Sequence, residues 1–368
     1  MRALRIALIG SRGIPARYGG YETLLEELAP RLVTSGFDVT VYCRAHMTPR
    51  DLTEYRGVKL VVLPTVRTKH LDTPVHTLLS CLHAAERPFD AALVVNSANA
   101  LFVPLLEGAG IPVALHVDSI EKRRAKWGPV GRAVYALSER LASKVAEEIV
   151  SDAGVIAKHY LSRYDVTTTN ITYGVEVDTA PGTKVLERLG LESGGFFLYV
   201  SRFEKENNPH RVAEAYRDVP GDLPLIMVGS APYARSFINS FTTDADPRIL
   251  FPGALYEEPY RQLQHHALAY IHATDVGGTH PALVEAMGYR NCIVVNDNPE
   301  NREVVGEAGL YFRVRDPSSL TGALSRVLAD PETTNDLANA AASRAAALYS
   351  WDSITRQYSE VFCRLARL

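Results

Sequence analysis

Short apolar segments alternate with amphipathic helical patterns along almost the whole chain, and this alternation limits the possible folds more than any other feature. Five apolar runs of strand length follow one another in the first half: LRIALIG, FDVTVYC, VKLVVLP, FDAALVVN and PVALHVD. Helical patterns, such as ETLLEELAPRLVTSG at residues 22–36, lie between most of them. Strands buried on both faces read as continuous apolar runs, so the pattern predicts a parallel, doubly wound α/β sheet.

The same pattern starts again in the second half. Five further predicted strands, again with helices between them, are FFLYVSR, LPLIMVG, ILFPG, LAYIHA and CIVVND. The segment 174–195 between the halves is rich in Gly, Pro and Thr, and a length of 368 residues is typical of roughly two domains. We therefore predict two Rossmann-like domains, at residues 1–178 and 179–348.

The last segment, 349–368, has the pattern of a terminal amphipathic helix. Its apolar side chains recur at helical spacing and predict one buried face, formed by Trp351, Ile354, Tyr358, Val361, Phe362 and Leu365. The pattern leaves open which domain this face packs on.

Charge and cysteine usage exclude several classes of protein. A net charge of -3 argues against a general nucleic-acid binder. None of the four cysteines lies in a CxxC pair or in a Cys/His cluster with zinc-ligand spacing. This usage predicts free thiols in the reducing cytoplasm. No apolar run reaches the roughly 18 residues that a membrane-spanning helix needs.

A glycine-rich turn connects the first predicted strand to the first helix. It reads GSRGIPARYGGYE and places Gly19 and Gly20 directly before the helix. Such a turn lets backbone N–H groups approach a phosphate. It matches neither GxGxxG nor the GK[ST] of a P-loop, so a dinucleotide or ATP-type site is poorly supported. An ordinary surface loop is the alternative, but the paired glycines favour ligand contact.

The most informative stretch is DVGGTHPALVEAMG at residues 275–288. Gly277 and Gly278 precede a helix that opens at Pro281, and a helix N-terminus favours an anion. Glu285 lies about one turn inside this helix, where a carboxylate without a partner is costly to bury. It would repel a phosphate but accept hydrogen bonds from a pair of sugar hydroxyls. Diphosphate on the loop and ribose on Glu285 together fit a nucleotide.

Two further polar stretches follow predicted strands. In SRFEKENNPHR, Arg202 and Lys205 could neutralise a diphosphate, although a solvated charged loop is the alternative. In HVDSIEKRRAKWG, His116 and Asp118 lie where open α/β sheets bind ligands. The basic cluster in this stretch could contact a lipid headgroup surface or an anionic acceptor, and a solvated helix face explains it equally well; it consists of Lys122, Arg123, Arg124 and Lys126.

These pieces, in this order, resemble the family 4 glycosyltransferases, which have the GT-B fold. The resemblance covers essentially the whole chain and rests on the paired glycines at 19–20, VSRFEKENN, IMVG, GGTHPALVEAM and the closing YSWDSI. Within the family the chain looks most like the bacterial rhamnosyltransferase-like branch, because of RRAKWG, FEKENN and VGGTHPALVEAM. Against this background DAD at 244–246 matches the DxD pattern of metal-dependent enzymes, but it lies in a polar turn and is a weak signal.

The resemblance implies a retaining enzyme that moves a sugar from a nucleotide diphosphate donor to an acceptor hydroxyl without a metal or other cofactor. Two Rossmann-like domains would face each other across a cleft, with the donor mainly on the second and the terminal helix crossing back to the first. The acceptor would be a glycan, a glycolipid or a small-molecule glycoside. The cysteine usage predicts a cytoplasmic enzyme, and the basic cluster leaves open a peripheral contact to the inner face of the membrane.

The resemblance also implies roles for single residues. Glu285 would bind the donor ribose, and Arg202 would pair with the diphosphate. Gly277, Gly278 and Thr279 would present backbone amides to donor sugar and phosphate. The remaining contacts implied are Gly20 near the phosphates, Glu22 close to the sugar and Leu255 at the base.

Three departures from the family pattern bear on these roles. The first glutamate of the Glu-x7-Glu motif is replaced by Val276, which suggests a donor with fewer or differently placed hydroxyls, such as a deoxyhexose; the adjacent Asp275 could substitute. The phosphate-binding lysine is replaced by Asn207, which we still count among the donor-binding residues, and Lys205 could compensate for the lost charge. The histidine often found after the fifth strand aligns with Val117 or, shifted by one, with His116, and Asp118 is the better-matched polar residue. The predicted catalytic group is therefore Asp118, His116 and Glu22.

Two other classes of function stay open at this stage. A GT-B epimerase or hydrolase acting on sugar nucleotides would need well-placed carboxylates on both domains, and no clear pair is visible. A non-catalytic homologue would bind the donor without turnover, and the altered glutamate and lysine positions keep this alternative open.

Overall fold

The computed structural model describes residues 2–17, 19–68, 70–120, 128–177, 181–231 and 234–367 of the chain. The chain forms two compact units. The first runs up to Tyr173 and resumes at Trp351, and the second extends from Gly174 to Ser350. These divisions lie five residues before the predicted limit at 178 and two residues after that at 348.

The first unit is built on an eight-stranded sheet with the order β3-β4-β2-β1-β5-β6-β7-β8. All neighbouring strands are parallel except the pair β3 and β4. The strands are β1 (Arg5–Ile9), β2 (Asp38–Arg44), β3 (Glu54–Tyr55), β4 (Val58–Leu63), β5 (Ala91–Val95), β6 (Val113–Val117), β7 (Glu148–Ser151) and β8 (Thr169–Asn170).

Helices cover both faces of this sheet. On one face lie α1 (Gly20–Thr34) and the terminal helix α14 (Trp351–Leu365), which share a core with the first strands. The other face is covered by α2 (Asp72–Ala85), α3 (Val103–Glu107), α4 (Pro129–Val145) and α5 (Gly154–Tyr164). All six apolar residues that predicted a buried face in the terminal helix are buried against the α1 side of the sheet.

The second unit has a six-stranded, fully parallel sheet with the order β11-β10-β9-β12-β13-β14. Its strands are β9 (Phe197–Val200), β10 (Leu225–Val228), β11 (Ile249–Gly253), β12 (Ala269–His272), β13 (Cys292–Asn296) and β14 (Gly309–Phe312). Its helices are α6 (Lys184–Leu189), α7 (Pro209–Tyr216), α8 (Arg235–Thr242), α9 (Glu257–His266), α10 (Pro281–Gly288), α11 (Pro299–Val305), α12 (Pro317–Ala329) and α13 (Pro331–Leu348).

The strand order reverses once in each unit, between β1 and β5 in the first and between β9 and β12 in the second. Open parallel sheets bind ligands at the carboxyl ends of the strands beside such a reversal. All ten predicted strands are present, and the predicted α/β class with two doubly wound domains is confirmed. The pattern missed β3, β7, β8 and β14, which have two to four residues each and lack a long apolar run.

Two further properties concern membrane spans and cysteines. Within the described ranges no helix is long and apolar enough to cross a membrane. Each of the four cysteines is a free thiol, and burial raises the pKa of the Cys43 thiol to about 11.

Candidate functional site

Most of the predicted donor residues lie at the carboxyl edge of the second sheet. Arg202 and Lys205 follow β9, Leu255 follows β11, and the segment Gly277–Thr279 follows β12. Because the strands are parallel, their carboxyl ends meet at the same edge. The fold therefore brings together residues from three separate parts of the sequence.

Glu285 has a specific partner within the second unit. It lies one turn inside α10, and its carboxylate accepts a hydrogen bond from the hydroxyl of Tyr260 on α9. The side-chain amide of Gln264 donates to the same hydroxyl at 2.9 Å and to the carbonyl of Ala282 at 3.2 Å. Burial, followed by the charge of Glu285, raises the pKa of Tyr260 well above its ordinary value. Tyr260 therefore stays protonated and orients one oxygen of the carboxylate.

The segment before α10 is tightly packed. His280 caps the helix in an extended conformation, and Pro281 occupies its first turn. A Cβ atom added to Gly277 would lie 2.4 Å from Nε2 of His280, so the ring of His280 would have to move to admit one. The ring of His280 in turn lies 4.8 Å, centroid to centroid, from that of His272 at the end of β12. Thr279 is buried.

Asparagine side chains hold the loop that follows β12. Asn208 donates to the carbonyl of Ala273 at 2.8 Å, and Asn298 donates to that of Thr274 at 2.9 Å. Neutral amides satisfy these carbonyls without adding charge. The loop is thereby fixed from two sides by neutral groups.

The two residues at the altered glutamate position have different surroundings. Asp275 accepts a hydrogen bond from the side chain of Asn296 at 3.1 Å, and its backbone N–H donates to the carbonyl of Glu206 at 2.9 Å. Val276 is half-buried. Asp275 is thus held in place by neighbours on both sides, at the same edge as Glu285.

The loop after β9 contains the two predicted cations. Arg202 lies 3.8 Å from the carboxylate of Glu204, and Lys205 is exposed in a short 3-10 helix. Asn207 does not fit its predicted role in donor binding, because it is buried and its amide donates to the carbonyl of Arg202 at 2.7 Å. Its side chain shapes the loop that carries Arg202.

A close approach of two loops explains the glycine that follows β10. A Cβ atom on Gly229 would lie 1.9 Å from the carbonyl oxygen of Ser201 and 2.8 Å from the ring of Phe203. No real Cβ atom tolerates such a distance from backbone. Gly229 therefore lets the loop after β9 lie directly against that after β10.

In the first unit the glycine-rich turn divides into two parts. Gly10 and Gly13 have φ angles of 106° and 109°, and a Cβ atom on either would clash with its neighbours. A Cβ atom on Gly19 would meet nothing closer than 3.5 Å, and Gly20 opens α1. The first pair is therefore required by packing, whereas Gly19 is not.

Glu22 and Asp118 lie at the carboxyl edge of the first sheet. Glu22 is buried in the first turn of α1 and accepts a hydrogen bond from the backbone N–H of Arg12 at 2.8 Å. Asp118 follows β6, is partly exposed and accepts a hydrogen bond from the hydroxyl of Tyr21. Burial, and then the charge of Asp118, raise the pKa of Tyr21 well above its ordinary value.

His116 does not lie beside Asp118 at the end of the strand, as we expected. It is inside β6, is 1% exposed, and packs at 5.6 Å from the ring of Tyr21 and 6.1 Å from that of Tyr173. Neither of its ring nitrogens has a hydrogen-bond partner among the residues that the structure describes. Burial lowers the pKa of His116 to about 3, so the ring is neutral. Successive side chains of a strand point to opposite faces, which turns His116 into the core.

Two other segments discussed above are the DAD turn at 244–246 and the basic cluster at 122–126. Asp246, in the DAD turn, is bonded to Arg248 at 2.9 Å, and these hydrogen bonds lower its pKa. Across the described segments no group of three His, Cys, Asp or Glu side chains is arranged to hold a metal ion. The basic cluster of Lys122, Arg123, Arg124 and Lys126 lies outside the described residues.

Sequence reasoning missed several residues of these edges. Tyr260 and Tyr21 lie in helical patterns in which an aromatic side chain looks like core. Asn296 and Asn298 stand in the asparagine-rich stretch VVNDNPEN, directly after a predicted strand. That position was the available signal, since polar side chains at the end of a parallel strand face the ligand edge.

Comparison with known proteins identifies the class. The family described as "Glycosyl transferase 4-like domain" matches residues 19–173, and that described as "Glycosyl transferases group 1" matches residues 187–344. A search of curated proteins finds no match. The protein is a GT-B glycosyltransferase, with one of these domains in each half of the chain.

Solved structures with the same architecture span the full length of the chain. Sucrose-phosphate synthase from Thermosynechococcus elongatus superposes with a TM-score of 0.83 at 18% identity, over 98% of this chain and 99% of that one. HepE from Anabaena, in complex with UDP and glucose, gives 0.80 at 16% identity, over 98% and 100%. An α,α-trehalose 6-phosphate synthase from Burkholderia multivorans gives 0.69 at 12%, over 100% and 98%. The predicted GT-B fold is confirmed.

Proposed function

We propose that this glycosyltransferase is a retaining enzyme that moves a hexose, or a deoxyhexose such as rhamnose, from a nucleotide diphosphate sugar to an acceptor hydroxyl. The observation that carries this proposal is the position of Glu285. Its carboxylate is oriented by Tyr260 one turn inside α10, at the edge where the loops after β9 and β12 end. The structural relative HepE, described with UDP and glucose, supports a sugar nucleotide as donor.

The donor contacts follow from the chemistry of each group. The oxygens of Glu285 accept hydrogen bonds from the two ribose hydroxyls, and backbone amides of Gly277–Thr279 donate to the diphosphate or the sugar. Arg202 and Lys205 balance the diphosphate charge, with Arg202 exchanging Glu204 for phosphate oxygens. The main chain at Leu255 contacts the base.

The first unit supplies the groups that we assign to the sugar and the acceptor. Gly20 lies at the N-terminus of α1 and is proposed to contact phosphate. Glu22 is proposed to lie near the transferred sugar, and Asp118 near the attacking hydroxyl. His116, which is neutral and enclosed by aromatic rings, is kept only as a positioning residue for Tyr21.

The chemistry needs no protein nucleophile. The acceptor hydroxyl attacks from the face on which the donor bond breaks, through an oxocarbenium-like transition state. The leaving diphosphate accepts the hydroxyl proton while Arg202 and the N-terminus of α10 stabilise its charge. The protein contributes positioning and electrostatics, and we propose that no metal ion takes part.

The replacement of a glutamate by Val276 favours a deoxyhexose donor. A half-buried valine offers no hydrogen bond to a sugar hydroxyl, and a hydroxyl without a partner next to it is disfavoured. The proposed acceptor is a glycan, a glycolipid or a small-molecule glycoside. A cytoplasmic enzyme in contact with the membrane through Lys122, Arg123, Arg124 and Lys126 fits a lipid-linked acceptor.

The test is a thermal shift measurement against a panel of sugar nucleotides and free nucleotide diphosphates. A ligand that binds the native state raises the melting temperature by mass action. One diphosphate nucleotide is expected to raise it for the parent protein and not for Glu285→Ala. The matched control is Glu214→Ala, an exposed carboxylate on α7, which should keep the full rise.

The outcomes separate the alternatives. The nucleotide sugar that binds best is then incubated with acceptors, and the anomeric configuration of the product is read by NMR. Binding without turnover would favour a non-catalytic homologue, and conversion of the sugar nucleotide without any acceptor would favour an epimerase or hydrolase. An inverted product would refute retention, and activity lost on chelation would refute the metal-free mechanism.

A further inference from the structure

Exposed apolar side chains are concentrated on one face of the first unit. Among the described residues thirteen large hydrophobic side chains are exposed, and ten of them belong to the first unit. Nine of these ten lie on α2, α3, α4, α5 or the turns that lead into these helices. These helices cover the same face of the sheet. Scattered single exposures are normal, but a concentration on one face indicates an interaction surface.

The most exposed of these residues form a stripe along α4. Val130, Val134 and Leu137 are 79%, 46% and 60% exposed. Their spacing of four and three residues places them on the same side of the helix. The adjoining side of α4, with Ser138 and Ala142, is buried in the unit. The stripe therefore faces away from the core.

The exposed charges on α4 and α5 themselves are all positive, and exposed carboxylates follow just after the ends of these helices, at Glu147 and Asp165. Five cationic side chains of α4 and α5 are exposed: Arg132, Arg140, Lys144, Lys158 and Arg163. The sequences of these two helices contain a single carboxylate, Glu139. Glu139 is 1% exposed and accepts hydrogen bonds from Tyr164 and from the ring of His159, so it does not offset the surface charge. In the sequence, four more cations at 122–126 directly precede α4.

We propose that the α4–α5 face is a docking surface for an anionic lipid bilayer. Helices that lie in a membrane interface combine a row of apolar side chains with flanking Lys and Arg, as α4 does. The apolar stripe would enter the boundary between headgroups and acyl chains, while the cations contact anionic headgroups. The long stems of Arg140 and Lys144 allow their charges to stay at headgroup level. None of the residues named for this surface is among those assigned to donor and acceptor.

The experiment is co-sedimentation of the full chain with vesicles of phosphatidylcholine, with and without phosphatidylglycerol. Binding is expected only to vesicles that contain the anionic lipid, and to fall as salt shortens the range of electrostatic attraction. Arg140→Gln/Lys144→Gln is expected to weaken binding by on the order of tenfold or more. Its control, Arg188→Gln/Arg326→Gln, removes the same charge from exposed positions of the second unit and should bind as the parent does.

A second matched pair tests the apolar stripe. Leu137→Ser is expected to weaken binding by roughly tenfold, since a buried leucine side chain contributes about 1.5–3 kcal/mol. Leu348→Ser, at a leucine of the second unit that is 50% exposed, should have no effect. The nucleotide-induced thermal shift should be unchanged in all four variants, which separates this surface from the proposed donor site.

Three outcomes would overturn the proposal. In the first, the parent protein does not bind anionic vesicles. In the second, Arg188→Gln/Arg326→Gln weakens binding as much as Arg140→Gln/Lys144→Gln does, which would mean that only net charge matters. In the third, sedimentation of the parent without lipid shows a dimer that Leu137→Ser converts to a monomer while vesicle binding is absent. The occupant of the face would then be a second copy of the chain.

Discussion

The carboxyl edges of the two sheets are built from different chemistry. In the second unit neutral asparagine amides hold the loop after β12, and one carboxylate, Glu285, is oriented by a tyrosine. In the first unit three carboxylates, Glu22, Asp118 and the buried Asp152, lie at the corresponding edge with a buried neutral histidine behind them. Both edges belong to parallel sheets of the same class.

This difference teaches how one fold is adapted to two tasks. Neutral amides fix a loop without adding charge and leave its backbone N–H groups available to an anionic diphosphate. The second edge also carries the cations Arg202 and Lys205, next to the carboxylates of Glu204 and Asp275. The first edge offers carboxylates that can accept hydrogen bonds from sugar and acceptor hydroxyls. The proposed assignment of the donor to the second unit rests on the position of Glu285, and that of acceptor-side groups to the first unit rests on these carboxylates.

The largest expected effect distinguishes the glycines of the two units. Gly229→Ala should lower the free energy of unfolding of the second unit by about 4 kcal/mol, because its Cβ atom would meet backbone at 1.9 Å. Gly19→Ala should change that of the first unit by about 1 kcal/mol or less, since the nearest atom is 3.5 Å away. Urea unfolding followed by circular dichroism measures both. Equal losses would show that both glycines are required by packing.

The second prediction tests the amide network. Asn296→Ala should destabilise the second unit by about 2.5 kcal/mol, because a buried side chain that bonds to Thr274, Asp275 and the N–H of Val314 is lost. Hydrogen exchange should increase first in the loop 273–280. The control, Asn335→Ala on the exposed side of α13, should leave exchange there unchanged. Unaltered exchange in Asn296→Ala would mean that the amides do not hold the loop.

A third prediction concerns acid. The folded-state pKa of His116 is lowered to about 3 by burial, whereas the unfolded chain takes up the proton near the ordinary value of 6.5. The free energy of unfolding of the first unit therefore keeps its full value above about pH 6.5. It falls as the pH decreases towards 3, because protonation of His116 favours the unfolded chain, and the loss from this histidine is about 2 kcal/mol at pH 5. Tryptophan fluorescence during urea unfolding reports on the first unit, because the chain has no tryptophan between Gly174 and Ser350.

The histidine variants sharpen this prediction. His116→Phe should remove the part of the acid-dependent loss of stability that this histidine causes. A further part should remain, because burial lowers the pKa of His76 to about 4. His272→Phe removes the counterpart in the second unit, where burial also lowers the pKa to about 3, and should leave the Trp351 signal unchanged. If the urea midpoint of the parent protein stays constant between pH 8 and pH 5, the predicted acid-dependent loss of stability is wrong.

The smallest effect concerns the orientation of Glu285. Tyr260→Phe removes the hydroxyl that donates to the carboxylate and should weaken nucleotide affinity by roughly tenfold. It should also lower the free energy of unfolding of the free protein by about 1 kcal/mol, because Gln264 loses an acceptor. Tyr311→Phe, which removes a hydroxyl bonded to the carbonyl of Gly306, is the control. Calorimetric titration compares the three proteins. Full affinity in Tyr260→Phe would mean that the carboxylate is positioned by the helix alone.

Sequence reasoning located the strands and most of the site segments, but it misjudged single side chains. It placed Arg202, the Gly277–Thr279 segment and Glu285 at strand ends or at a helix start, and they lie there. It assigned Asn207 to the donor although its amide is used within the loop, and it expected His116 at an edge although the ring faces the core. A motif gives the position of a residue along the chain and not the partner of its side chain.

The sequence by itself determined the two parallel sheets, the loops at their carboxyl edges and the buried face of α14. Each of these depends on local periodicity and on turn residues, which can be read in a window of a few residues. Only the tertiary structure decided that Tyr260 holds Glu285, twenty-five positions away, and that the apolar stripe of α4 is left uncovered. These facts depend on which helices become neighbours, and packing between distant segments leaves no periodic signal in the sequence.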